Sequence, residues 1–408
     1  MALASGDVIA KGTFRRIVWP FAVVETLVWA CYYYSFPALL PTWEAELGFS
    51  KAVLTGAFTL SLTVSAVLAP VAGRLIDRGH SRVVFAGGAA LAAVLLLLLS
   101  QVREVWQFYV IWLGLGVAMS GTLYEACFTI LTHCLGARAR RAITMVSLAA
   151  GFAGTVSFPS AHFLTQFLGW RGAIVIFAGV VVVVCIPLIL YGCHHAARVA
   201  PAIARPPSAN PRAAARAART VTFWLLALSF TSIALDHTLL VSHLLPIMAD
   251  RGLAVGTAVA AASMMGPMQV AGRLLMLSVE HRVSTQMICC VCFVSMGLAG
   301  TALYLAGMAP GLVIVFVALQ GSGAGVLSVI RPTAVAELLG RTDFGVTAGL
   351  LAIGFVGGSA VAPILASLIW QVGGYDLVLI LTMIVPVVGL AAALAAWRFR
   401  PRDAVLTG

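Results

Sequence analysis

The sequence predicts an all-α membrane protein of twelve transmembrane helices in two pseudo-symmetric halves of six. Three observations predict it: the composition, the regular recurrence of apolar runs, and the placement of basic residues between them. Of 408 residues, 61% are hydrophobic and only 10% charged, and mean hydropathy is +1.03. A soluble domain of this length cannot bury so much apolar surface, whereas a bilayer accommodates it. Each crossing of ~30 Å of hydrocarbon takes ~20 mostly apolar residues, and helix satisfies the backbone polar groups inside lipid.

The expected spans run over 17–40, 53–72, 83–100, 105–131, 142–166, 171–192, 221–247, 254–278, 284–306, 311–336, 346–369 and 376–397. The first follows Arg15-Arg16 and resembles a signal peptide only superficially. It is too long, has no convincing cleavage site, and more spans follow it.

Charge placement sets the topology. With the N-terminus in the cytoplasm, nineteen Lys/Arg fall in cytoplasmic segments and four (Lys51, Arg103, Arg171, Arg251) on the opposite side. The positive-inside rule thus places both termini in the cytoplasm. The net charge of +11 belongs to these connectors, so no nucleic-acid partner is expected. The eight cysteines lie mostly within spans, without zinc-ligand spacing, and read as small packing residues. No metal site is expected.

The longest connector, 193–220, carries Pro201, Pro206, Pro207 and Pro211 among five arginines. It reads as a solvated linker beside anionic headgroups. It divides the chain into an N-terminal half (1–192) and a C-terminal half (221–408). Phe152-Ala153-Gly154 in span five is echoed by Phe355-Val356-Gly357 in span eleven, an offset of 203 that also roughly superposes spans four and ten. Two parallel repeats joined by a long loop are a transporter pattern, with the binding site near the bilayer midplane.

Between spans two and three lies Gly73-Arg74-Leu75-Ile76-Asp77-Arg78-Gly79-His80-Ser81-Arg82. This stretch resembles the signature loop of the major facilitator superfamily. With twelve spans, a central basic loop and a degenerate counterpart at Glu280-His281-Arg282-Val283-Ser284, the resemblance covers the whole chain. It implies the major facilitator fold, alternating access and a conformational role for Gly73, Asp77 and Arg78. Gly73 permits close helix approach, and Asp77 offers an anion to a helix N-terminus or a basic partner. In the family this aspartate touches the start of span eleven, near Gly345-Val346 here. The competing reading is a solvated loop whose arginines only set topology.

Gly272-Arg273 in span eight is similar to the monocarboxylate and oxalate–formate antiporter branch, where an arginine there meets a substrate carboxylate. The chain departs from that branch at Gln269, where monocarboxylate carriers place an aspartate. Span five also lacks the Gly-Pro pattern of multidrug antiporters.

Five charges lie within spans: Glu25, Glu125, Asp236, Arg273 and Arg331. Embedding such a group costs ~2.5–3.5 kcal/mol on insertion scales, and these residues usually face a bundle interior or an aqueous cavity. Four of the five occupy spans one, four, seven and ten, which line the central cavity in the family resembled. By helical spacing, Glu25, Trp29, Tyr32 and Phe36 share a face, a carboxylate below an aromatic wall. Ser229, Ser232, Asp236 and His243 form a polar stripe. Arg331 either neutralises Glu125 across the halves or receives a substrate carboxylate. Glu25 or Asp236 is then left to carry a proton. His162 and His243 read as core histidines.

No His-Glu-x-x-His or Gly-x-Ser-x-Gly pattern marks an enzyme, and no nucleotide loop implies a cofactor. The expected function is secondary transport, proton-coupled, of a small solute. A small, monocarboxylate-like organic anion suits the embedded arginines. Proton-driven efflux of a cationic or neutral compound suits the embedded acids. A monomer in a bacterial cytoplasmic membrane is the expected setting.

Overall fold

The computed structural model describes residues 11–199, 218–279, 281–339 and 344–400, and every regular element among them is helical. Most of the expected linker 193–220, together with Glu280 of the degenerate loop, lies outside the described residues. So does the side chain of Val346, and no surroundings are described for Gly345. The chain divides into two compact units, Met1–Pro206 and Pro207–Gly408.

The first unit comprises α1 (Lys11–Val28), α2 (Ser35–Leu47), α3 (Lys51–Leu75), α4 (Ser81–Leu99), α5 (Val105–Thr122), α6 (Tyr124–Leu135), α7 (Ala139–Ala150), α8 (Ala153–Val180) and α9 (Ile186–Val199). The second comprises α10 (Val221–Asp250), α11 (Val255–Val279), α12 (Thr285–Leu305), α13 (Leu312–Leu339) and α14 (Phe344–Arg398). Side-chain caps start several of them: Ser50, Thr220 and Ser284 each accept from the backbone N–H three residues on, at 3.3 Å, which satisfies one of the orphan donors of a first turn.

Eight continuous helical stretches among the described residues are long and apolar enough to cross a membrane. Three of them, Lys51–Leu99, Ala139–Val199 and Thr347–Arg398, have 49, 61 and 52 residues, enough for two crossings each. Each is kinked where a crossing ends: at Gly79 (φ +93°), at Gly169 (φ +68°) and at Gly373–Gly374 (φ +64° at the latter). A left-handed φ costs glycine nothing and other residues much, so the chain breaks its apolar runs there. Counting those three stretches twice and adding α11, of 25 residues, gives the twelve spans expected. Rows of exposed valine and leucine, such as Val94, Leu97 and Leu98 on α4, suit contact with acyl chains.

The core of the first unit is aromatic. Phe36 stacks on Phe58 at 4.2 Å between centroids, and Trp112 meets both edge-on at 5.0 and 5.4 Å. In the second unit glycine brings helices together. A Cβ on Gly272 would lie 2.6 Å from the Ser322 carbonyl oxygen, and one on Gly325 would run into the Gln269 backbone. Small residues at such contacts are how helices approach closely without a hydrophobic drive between them.

Candidate functional site

In the first unit three helix irregularities converge. The first is a π-helical turn, Trp29–Tyr33, between α1 and α2, closed by Tyr34 N–H donating to Trp29 O at 2.8 Å. The second is the break at Leu123 between α5 and α6 (φ −88°, ψ −171°). The third is the interruption at Gly151–Phe152 between α7 and α8. Discontinuous spans free backbone groups and are a common way of building sites within a membrane, and π turns cluster at functional positions.

Around these breaks stands a set of half-buried rings. Trp29 lies 4.6 Å from Tyr33, 6.4 Å from Tyr34 and 4.8 Å from Tyr124, and Tyr124 stacks on Phe128 at 4.9 Å. Tyr34 also faces Phe158 of α8 at 6.2 Å. The Ser157 hydroxyl donates to Ala30 O at 2.7 Å, fastening α8 to the π turn.

Two carboxyls flank the rings. Glu25 is fully buried. Its Oε2 accepts from Trp29 Nε1 at 3.1 Å, its Oε1 has no N–H or O–H partner, and the Cys127 thiol interacts with it. Glu125 is exposed, in the first turn of α6, where the free N–H groups favour negative charge. It lies near enough for its charge to act on Glu25.

The π turn redirects the face expected of the first span. It inserts one residue into the helical repeat, so Trp29, Tyr33 and Tyr34 form the wall. Tyr32 and Phe36 turn into the packed interior, both fully buried. Tyr32 donates its hydroxyl to Thr122 Oγ1 at 2.6 Å, and Thr122 donates onward to Ala118 O at 2.8 Å. Tyr32 therefore braces the break after Thr122 instead of lining the wall.

The second unit holds a different arrangement. Asp236 of α10 is buried, and its Oδ2 accepts from the side-chain N–H of Gln320 on α13 at 3.1 Å. Asp236 Oδ1 and Gln320 Oε1 are both buried without a hydrogen-bond partner, as is Nδ1 of neighbouring His237. His243, two turns along the same face, sits in a network: it contacts Pro363 O at 3.0 Å, Tyr375 Oη at 3.3 Å and Ser367 Oγ at 3.3 Å. It is a hydrogen-bonded core histidine.

The arginines are engaged. Arg273, 8% exposed, donates Nε–H to Gly325 O at 3.1 Å. Arg331 lies with its guanidinium 4.0 Å from the Phe355 ring centroid, a cation–π contact. Ser328, expected one turn from Arg331, bonds back to Gly325 O at 2.7 Å.

In the signature loop, Gly79 supplies the left-handed turn and Asp77 Oδ1 pairs with His133 Nε2 of α6 at 3.1 Å. Both side chains are partly exposed, as is Arg78. Glu25, Asp236 and the rings singled out in the sequence lie beside Cys127, Gln320 and Thr122, which are uncharged and carry no periodic signal.

Comparison with known proteins agrees with this architecture. Over 144 residues the chain is 30% identical to an MFS-type efflux pump of Mycolicibacterium smegmatis, a match spanning 35% of this chain and 33% of the pump. The match thus covers about a third of the length of that curated relative. Two crystal structures of a bacterial homolog of the human lysosomal transporter Spinster share the fold. The inward-facing, unoccupied form has a TM-score of 0.70 at 15% identity, covering 97% of this chain and 99% of that one. The inward-facing, occupied form has a TM-score of 0.67 at 14% identity, covering 96% and 98%. The Major Facilitator Superfamily profile matches residues 21–309, well over half of the chain. The protein is therefore a multi-pass integral membrane protein, and the chain belongs to the Major Facilitator Superfamily of secondary transporters.

Proposed function

We propose that the chain exchanges protons for a cationic or neutral compound with a flat apolar part, by alternating access between its two halves. The observation that carries this reading is the ring set Trp29, Tyr33, Tyr34 and Tyr124 flanked by Glu25 and Glu125. Aromatic faces attract cations and flat apolar groups alike, and an acid beside them supplies charge that a cation neutralises. The named activity of the mycobacterial relative points the same way. Protons are carried by buried carboxyls, Glu25 in one unit and Asp236 in the other, because single acids without an oxygen cage suit a proton better than a metal ion. Residues 193–220 link the halves in the cytoplasm, and both termini lie on that side of a bacterial inner membrane.

A small organic anion is the second reading, favoured by Arg331, which is partly exposed over Phe355. Arg273 supports it less, since one of its donors is spent on the Gly325 carbonyl.

Proteoliposomes separate the two. With the membrane potential clamped and the lumen acidic, protein-containing vesicles are expected to accumulate tetraphenylphosphonium well above protein-free vesicles. Glu25→Gln and Glu125→Gln are each expected to reduce that accumulation at least tenfold. Benzoate accumulation above protein-free vesicles when the lumen is made alkaline, lost in Arg331→Gln, with no tetraphenylphosphonium accumulation in the acidic-lumen arm, would overturn the first reading in favour of the second.

A further inference from the structure

The first unit carries a second polar cluster, at the ends of α1, α4 and α9. Helix α9 meets α1 closely at Gly192, where a Cβ would lie 2.6 Å from the Phe21 ring. Five residues before Phe21 stands Arg16, and three and six residues after Gly192 stand His195 and Arg198. The contact therefore sets these groups side by side at the end of the helix pair. His194 and His195 are ring neighbours at 5.6 Å, and Tyr191 meets His195 edge-on at 4.5 Å. Arg82, at the start of α4, acts electrostatically on Cys193 of the same turn. Desolvation first, then the charges of Arg16, His194 and Arg198, holds His195 below the usual histidine range, so the site is crowded with positive potential.

Among the described residues no acidic partner is paired with it: Arg16, Arg82 and Arg198 form no salt bridge, and all three are exposed. One turn deeper on the same helices, Trp19 is 51% and Tyr191 45% exposed. Cations at the water surface with amphipathic rings just beneath match a phospholipid in cross-section: phosphate above, glycerol and upper acyl chain below. Three guanidiniums give forked donors suited to phosphate oxygens.

We propose that Arg16, Arg82, His195 and Arg198, with Trp19 and Tyr191 beneath them, form a binding site for an anionic phospholipid headgroup. A headgroup bearing phosphate without a compensating ammonium fits; a zwitterionic one brings its own cation into a cluster that already repels cations. This site is separate from the rings around Glu25, and it gives α1 and α9 a shared lipid ligand at their ends.

The test uses the full chain in neutral detergent micelles, titrated with phosphatidylglycerol or phosphatidylcholine carrying brominated acyl chains, with tryptophan quenching as readout. Wild-type protein is expected to be quenched at lower phosphatidylglycerol than phosphatidylcholine, by about tenfold. Arg16→Gln/Arg198→Gln is expected to lose that preference, while Arg140→Gln/Arg141→Gln, with the same charge change on α7, keeps it. If the first double variant does not fold, Arg82→Gln/His195→Gln is expected to weaken the preference likewise. Equal quenching by the two lipids in wild type, or an undiminished preference in a folded cluster variant, would overturn the proposal. Relief of quenching by millimolar inorganic phosphate would also overturn it, in favour of a free-phosphate site.

Discussion

Gln320 donates its side-chain N–H to Asp236 Oδ2 across 3.1 Å, joining α13 to α10 through two side chains that are 0% and 1% exposed. Each keeps one oxygen with no partner. A buried, half-satisfied pair is costly, and proteins retain such pairs where a proton or ligand comes and goes. Asp236→Asn is expected to retain substrate exchange across vesicles without a gradient. It is expected to lose, by tenfold or more, the accumulation driven by a pH difference. Wild-type accumulation in that variant would remove Asp236 from coupling.

Gln320→Leu leaves Asp236 with no donor at all, which costs ~1–3 kcal/mol for an orphaned buried polar group. A lower melting temperature in detergent is expected, and Asp236→Asn/Gln320→Leu should recover part of it. A Gln320→Leu protein as stable as wild type would show that the hydrogen bond contributes nothing.

Tyr32, buried and bonded to Thr122, is expected to act as a brace. Tyr32→Phe loses one buried hydrogen bond, ~1 kcal/mol, or ~2–4 °C of melting temperature for a unit of this size. Substrate affinity is expected to stay within twofold. A large affinity loss with unchanged stability would return Tyr32 to the site.

Trp29 offers two functions that substitution separates. Trp29→Phe keeps a ring but removes the donor to Glu25 Oε2, so the pH dependence of transport is expected to shift while affinity holds. Trp29→Ala also removes the central ring, and affinity is expected to fall at least tenfold. Unchanged affinity in a folded Trp29→Ala protein would empty the aromatic wall of its proposed role.

Asp77→Asn removes the anion that faces His133. The contact is partly exposed, so its stability contribution is small, ~0–1 kcal/mol. Expression and melting are expected to be unchanged, with turnover lowered and the populations of inward- and outward-open states altered. Cysteine accessibility on the two sides of the membrane measures those populations, and wild-type values there would refute the role.

Hydropathy and charge placement made the twelve crossings legible, because lipid forces every crossing to be a long apolar helix. The breaks inside the long helices fall in the gaps between expected spans, at 72–83, 166–171 and 369–376, which hold Gly79, Gly169 and Gly373–Gly374. The embedded acids stood out because charge in hydrocarbon is rare. The wall's membership was not readable, since the extra residue of the π turn shifts everything after Trp29 and nothing in Trp29–Tyr33 marks it. Gln320 stayed hidden because a single amide in an apolar helix looks like any other small polar residue until Asp236 is placed opposite. For Arg273 the sequence shows the charge but not the glycine carbonyl that receives its Nε–H.

The glycine contacts between α11 and α13 carry a mechanical consequence. Gly272 rests on Ser322, Gly321 on Met268 and Gly325 on Gln269, and Arg273 is fastened to the carbonyl of the last of these glycines. Backbones pressed together along two turns cannot slide past one another without rebuilding every contact at once. The two helices are expected to move as one body in the proposed alternating access, with Gly373–Gly374 among the candidate joints. Alanine at Gly325 is expected to wedge the helices apart and cost ~1–3 kcal/mol of stability, read as a lower melting temperature. Alanine at Gly349, which has nothing within 4 Å, is expected to be harmless in the same measurement. The stiffness of this unit is thus written in residues that have no side chain.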